Sequence, residues 1–512
     1  MVWLALRLGR SLEFVLEFEI TDETGDEWSI STDLQTAHRN SPKRHSSWLP
    51  DQADKALIEP FETSLCIELP GLIQDILREA KRIFPGAPLL RGLWSRIGVI
   101  KLESWFKKHS RRCFPRLSSA KLGNAESQQV FEAFGDHSLA RLISSHPSSA
   151  LPAACGYANW DIRQIQSGFN LPIQTKSNSA NRVNLLGSLL APIESVLKSE
   201  IQHGTTKLLE SSRGDPITFH NYFAQYTVTA LYAATGCRHL SEPFESIAHF
   251  CQEPPAVFIN DKSDDGLHCG RMVPLANDAL TLFNAYCNHL RSFASDLEHS
   301  HPRLSSRIEQ MLNGSSTTLP LFFLLDPSGF WHPLNDDSTP GAELFRWELP
   351  RNLFRHRFSQ QLNRRGVNPE VIDGWMGHGE RSATTYNDHS ARRWKADVAR
   401  HQQQLNDCFE ELGFISELPY ASPTTIDLQS APTEPGYSEP QIFGQAKRHR
   451  DRMKARNQAR SQARKDLNLF LSVNPLEEGA QLTQTYVNDL VRQMLLRENG
   501  LPHPRAAIRM EV

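Results

Sequence analysis

Between Phe219 and Ala234 the chain is apolar and aromatic at helical spacing, and it closes in Thr235-Gly236-Cys237-Arg238. Apolar residues recurring at three- and four-residue intervals specify a helix, and a helix this apolar needs a core around it. Gly236 relaxes the helix end before Arg238. At 512 residues the chain has length for two to four domains and ample core. Its 39% apolar and 22% charged content suits a soluble globular protein. The chain has no run of about 20 apolar residues, so no membrane span is expected.

The segments after that helix alternate in type. Val257-Phe258-Ile259 and Met272-Val273-Pro274-Leu275 read as short strands around a polar turn that holds Lys262. Ala276–Phe293 is an amphipathic helix, 313–346 is loop-rich with a strand over Leu321–Leu325, and helices resume at Arg351–Arg364 and Pro369–Met376. Upstream, the alternation of Leu12 to Ile20, a turn over Thr21–Asp26 and a return over Glu27–Ile30 predict a β-hairpin. Residues 35–56 read as a polar loop. Leu72 to Phe84 is helical and ends at Pro85-Gly86, 94–113 is a basic helix, and 117–190 alternates short helices with Pro and Ser breaks.

Beyond 416 the pattern changes. Residues 416–445 are a Pro-, Ser- and Thr-bearing linker. From Lys447 to Lys465 the charge is almost wholly basic, opposed by Asp451. That segment can lie along phosphates as a helix or stand as a solvated arm. Residues 481–497 read as an amphipathic helix. The net charge of −3 predicts no polyanion partner by itself, so the placement of basic residues matters more than the total.

The eight cysteines form no CxxC or HxxxH pairing, so a structural zinc site is not expected, and they read as thiols of a reducing compartment. Arg7 and Arg10 interrupt the apolar start and no small-residue cleavage site follows, so a cytoplasmic location is expected. His299 and His301, two apart, lie on different helix faces and predict no metal site. The chain carries neither a GxxxxGK[ST] loop nor carboxylates clustered at two-metal spacing, and no cofactor is expected.

The chemistry concentrates in Arg238, Lys262, Asn352-Leu353-Phe354-Arg355-His356, Met376-Gly377-His378 and Tyr386. This order resembles the tyrosine recombinase (phage-type integrase) family over roughly Phe219 to Trp394, well under half of the chain. The resemblance implies a mainly α catalytic domain with a small antiparallel β-sheet over 196–415. It places a helical core-binding domain at 116–195, behind an N-terminal α+β accessory region at 1–115. A basic helical extension at 446–512 follows the linker.

It also implies roles. Tyr386 is the nucleophile, a phenol that needs neighbouring cations to act. Arg238 and Arg355 clamp the non-bridging oxygens of the pentavalent transition state, where guanidinium forks match the geometry. Lys262 protonates the departing 5′ oxygen, and His378 hydrogen-bonds the phosphate. Each also has an ordinary reading: an edge tyrosine, a helix-end arginine, a solvated turn lysine, a structural histidine. Asn352 stands where the family usually has histidine, and an amide cannot titrate near neutrality.

The implied activity is site-specific DNA recombination through a 3′-phosphotyrosyl intermediate, with double-stranded DNA as partner and a multimer on the DNA. A non-catalytic DNA-binding relative and a nicking enzyme of the type IB topoisomerase kind stay open beside it.

Overall fold

The computed structural model describes residues 1–417 apart from 41–49, 87–88, 94–98, 114–116, 145–152, 164, 166–184, 239–243, 245, 260–269, 315–318, 328, 335–343, 346–348, 351, 379–384 and 387–390. Lys262, the linker from 418 onward, the basic segment and the 481–497 helix therefore lie outside the described residues. Those residues are mainly helical, with small sheets.

The N-terminal part begins with helices α1 (Val2–Arg7) and α2 (Leu12–Leu16). A four-stranded sheet follows, with β1 (Glu19–Ile20), β2 (Ser29–Ile30), β3 (Thr36–Asn40) and β4 (Ser64–Glu68) in that spatial order. Then come α3 (Gly71–Ile83), α4 (Leu90–Leu93), α5 (Val99–Cys113), α6 (Ser119–Phe134) and α7 (His137–Ser144). The antiparallel pair β5 (Asn159–Asp161) and β6 (Leu185–Gly187) completes this part.

The hairpin expected over Leu12–Ile30 does not form. Leu12, Val15 and Leu16 are buried at helical spacing, and the Ser11 hydroxyl accepts from Phe14 N to start the helix. β1 and β2 pair in parallel, and the antiparallel return comes later, between β2 and β3. β3 itself falls where a polar loop was expected. Its His38 and Arg39 are buried, so the strand does not show the apolar pattern that marks one. The Arg39 guanidinium donates from Nη2 to the C-terminal carbonyls of α7, Leu142 O at 2.8 Å and Ile143 O at 2.5 Å, and lies 4.9 Å over the Trp28 ring. A cation at a helix C-terminus also meets the favourable end of the macrodipole.

One hydrophobic core runs through this part, from Leu4 and Ala5 through Trp28, Leu65, Leu122 and Leu139 to Leu186. It crosses the 115/116 boundary expected between an accessory region and a core-binding domain. On α3, Leu77 is buried, while Leu72, Ile76 and Ile83 stay exposed.

The second part is built around the helix anticipated at 219–234. Its elements are α8 (Glu194–Ser211), α9 (Pro216–Thr235), the three-stranded antiparallel sheet β7 (Phe250–Cys251), β8 (Ala256–Ile259) and β9 (Arg271–Pro274), then α10 (Asn277–Leu297) and α11 (Pro302–Leu312). The hairpin β10 (Phe323–Leu325) and β11 (Trp331–Pro333) precedes α12 (Leu353–Arg364), α13 (Pro369–Met376) and α14 (Trp394–Glu410).

α9 is central because its sequence is buried on all sides. Asp215 caps its start, accepting from Ile217 N and Thr218 N, with Pro216 in the first turn. It packs against α8, α10, α12, α14 and β10. It ends at Gly236 in the left-handed region (φ 57°), where a Cβ would come within 2.8 Å of Phe358 on α12. That close approach brings the end of α9 beside α12. Phe358, Leu362, Val371, Trp375, Val398 and Leu405 then join α12, α13 and α14 in a second core, with Tyr157 and Tyr386 packed at its rim.

Candidate active site

Arg355 sits one turn into α12 and is 1% exposed. Its Nη1 donates to Gly236 O at 2.8 Å, and its Nη2 donates to Met376 O at 2.8 Å and to His378 Nε2 at 2.8 Å. One guanidinium therefore joins the end of α9, the end of α13 and the histidine that follows it. Helix ends leave carbonyls without intrahelical partners, and a buried cation is held only when such acceptors surround it. Arg271 at the start of β9 does the same, donating from Nε to Trp375 O at 2.6 Å.

His378 accepts from Arg355 through Nε2, so the fitting tautomer carries its proton on Nδ1, 3.4 Å from Asp373 Oδ1. The residues Arg355 and His378, read from separate motifs 23 positions apart, are thus brought into direct contact.

Asn352 caps α12 in position only, without a side-chain cap bond. Its Nδ2 lies 3.1 Å from His356 Nε2, and His356 Nδ1 lies 2.7 Å from Ser188 Oγ. The amide that replaces the expected histidine is engaged by a neighbouring imidazole. Arg238 is exposed, just past buried Cys237 and two residues beyond the Gly236 carbonyl that Arg355 holds.

Tyr386 lies in a bend after α13 and packs against that helix at Gly374. A Cβ at Gly374 would come within 2.7 Å of its ring, and neighbouring Thr385 donates to Glu370 O at 2.9 Å. The Tyr386 hydroxyl donates to Asp397 Oδ2 at 3.2 Å. Burial raises this phenol well above the usual tyrosine range, and the Asp397 carboxylate raises it further, against a smaller lowering by Arg392. That is the reverse of an activated nucleophile. The Tyr386 hydroxyl bonds to Asp397 and not to the Arg355–His378 pair.

Comparison of the chain with protein-family models, with curated proteins and with solved structures returns no match.

The site must therefore be weighed on its own groups. Among the described residues, no group of three or more His, Cys, Asp or Glu is placed to hold a metal ion, and no helix is long and apolar enough to cross a membrane. A cavity of about 620 Å³ is lined by Asp136, Trp160, Asp161, Arg364 and Asn368 among others, and none of Arg238, Arg355, His378 or Tyr386 lines it. The residues missed in the sequence are Tyr157, Arg271 and Asp397. Tyr157 carried no motif, and its ring lies 4.8 Å from the Arg355 guanidinium carbon. Arg271 was visible only as the first residue of a strand.

Proposed function

We propose that this chain breaks and rejoins DNA strands in the manner of tyrosine recombinases, through a 3′-phosphotyrosyl intermediate. The observation that supports this most is the 2.8 Å contact of Arg355 with His378, at the point where the ends of α9 and α13 meet α12. Three segments distant in sequence, those of Gly236, Arg355 and His378, meet there, which supports the reading.

In the proposed reaction the Tyr386 phenol gives its proton to solvent water, and its oxygen attacks phosphorus in line. The bond from phosphorus to the 5′ oxygen breaks, and that oxygen leaves as a hydroxyl after taking a proton, for which Lys262 is the proposed donor. A 5′ hydroxyl then attacks the phosphotyrosyl ester and releases the tyrosine. The ester keeps the phosphodiester bond energy, so strand exchange needs no nucleotide. Arg238, exposed two residues past the Gly236 carbonyl, is the proposed electrostatic partner of a phosphate oxygen, and the Arg355–His378 pair supplies a preorganised cation and imidazole. Double-stranded DNA, assembly into a multimer through the segment after residue 440, and a cytoplasmic location belong to the same proposal.

Two observations favour a second reading, a DNA-binding relative without catalysis. Asn352 is engaged by His356, and the Tyr386 hydroxyl rests on Asp397. A nicked suicide substrate cut from the ends of the encoding element separates the two. A covalent protein–DNA adduct from the wild type, absent from Tyr386→Phe, supports strand breakage. DNA binding without any adduct favours the second reading.

A further inference from the structure

Tyr157 comes from the N-terminal part, between a short turn at Ala153–Gly156 and β5. Its backbone is fixed on both sides. Its N–H donates to Ala154 O at 3.0 Å, and its carbonyl accepts from Gln360 Nε2 of α12 at 3.2 Å. The same Gln360 amide donates to Leu190 O at 2.8 Å, which ties the segment after β6 to the same helix.

The ring delivered by this frame meets three groups of the candidate site. The Arg355 guanidinium carbon is 4.8 Å from its centroid. The His378 ring stacks on it at 4.9 Å and 20°, and the His356 ring meets it at 4.6 Å and 49°. Arg355 spends in-plane N–H donors on Gly236 O, Met376 O and His378, and those bonds fix its edge. They leave its face to be held by something else. An aromatic face attracts a cation through its quadrupole, most strongly where water is excluded, and Arg355 is 1% exposed.

We propose that Tyr157 is a positioning residue of this site, its ring holding the Arg355 guanidinium and the His378 imidazole in one mutual orientation. The role in strand breakage rests on the reading given above, whereas the role in holding Arg355 does not. A planar ring that covers the face leaves the in-plane edge to the Gly236, Met376 and His378 acceptors that already hold it. The N-terminal part thereby contributes to a site whose other residues all come from the second part.

The test uses the full-length chain with Tyr157→Phe, which keeps the face, and Tyr157→Leu, which keeps bulk without it. An arginine-specific dicarbonyl reagent is applied, and modification at Arg355 and Arg357 is read by mass spectrometry. Arg357 is the internal control, equally buried two residues along the same helix and held by Glu194 rather than by Tyr157. The expected result is about 10-fold faster labelling of Arg355 in Tyr157→Leu, with Arg357 unchanged and Tyr157→Phe restored to near wild type. On the suicide substrate, Tyr157→Leu slows adduct formation by about 10-fold at unchanged DNA affinity, and Tyr157→Phe recovers it.

Unchanged Arg355 labelling in Tyr157→Leu overturns the proposal. So does a parallel rise at Arg357, which marks general loosening, and so does a Phe variant as impaired as the Leu variant, which assigns the effect to the hydroxyl. If no protein forms an adduct while Arg355 labelling changes as expected, the strand-breakage reading fails and the positioning role stands.

Discussion

At Tyr386 the environment holds the proton on the oxygen. Burial comes first, and Asp397 adds to it by charge and by accepting the hydroxyl. Asp397→Asn removes the charge and keeps an acceptor, so the phenol titrates at lower pH and adduct formation begins at lower pH. Absorbance titration of the tyrosinate, compared with Tyr386→Phe, checks the first statement. A titration identical to wild type would remove Asp397 from the account.

Glu126 gives a second prediction at this scale. It is fully buried, neither carboxylate oxygen has a hydrogen-bond partner among the described residues, and burial pushes its carboxyl up to about 8. A carboxyl raised in the folded state stabilises the fold fully below its unfolded value of about 4.5, and that stability is lost as pH rises through about 8. Glu126→Gln carries no charge at any pH. It should be more stable than wild type at pH 9 by roughly 1–3 kcal/mol, with the difference shrinking by pH 6. Urea denaturation at the two pH values measures it.

At the scale of elements, the α9–α10 interface buries two imidazoles in contact, His220 Nδ1 3.2 Å from His289 Nε2. His220 also stacks on Phe293 at 4.8 Å, and Tyr286 lies against both histidines. Burial holds His220 well below the usual range and lowers His289 to about 4. A histidine depressed in the folded state stabilises the fold above its unfolded value of about 6.5, and that contribution is lost as pH falls toward about 4. The helix pair should therefore loosen in acid between those values. His289→Gln keeps a partner for His220 without titrating in this range, and should blunt the acid transition seen by circular dichroism.

The α8–α12 contact depends on Arg357, 1% exposed, which donates from Nε and Nη2 to the Glu194 carboxylate at 2.9 and 2.8 Å and from Nη1 to Cys408 O at 3.1 Å. Arg357→Leu leaves the carboxylate and the carbonyl without that donor and should cost roughly 3–5 kcal/mol. Arg238→Leu, at an exposed position, should change stability by no more than about 0.5 kcal/mol. Denaturant midpoints of the two variants decide whether the first arginine motif is as structural as its neighbour.

For the molecule as a whole, the core shared by Leu4, Trp28, Leu65, Leu122, Leu139 and Leu186 makes residues on both sides of position 115 one folding unit. A chain that starts at 116 keeps α6 and α7 but loses the strands and helices that cover them. It should lose the cooperative thermal transition of the N-terminal part and expose apolar surface to a hydrophobic dye. A sharp transition in the truncated chain would show that α6 and α7 find a core of their own.

The sequence alone determined the elements whose signals are local. α9, α12 and α13 were legible because apolar periodicity and the glycines at the ends, Gly236 and Gly377, act within a few residues of one another, whereas the Asp215–Pro216 start of α9 came from the structure. So were Arg355 and His378 as candidates, since each stands in a short motif. What only the tertiary structure decided involves partners far apart in the chain. Tyr157 reaches Arg355, Arg271 reaches Trp375 O, and Arg39 reaches the end of α7. The strand at β3 was hidden for the same reason: its polar side chains are buried, and the acceptors of Arg39 lie about 100 residues away. A pattern counts a charged residue as surface, and only the assembled fold can supply the carbonyls and ring faces that let it be core.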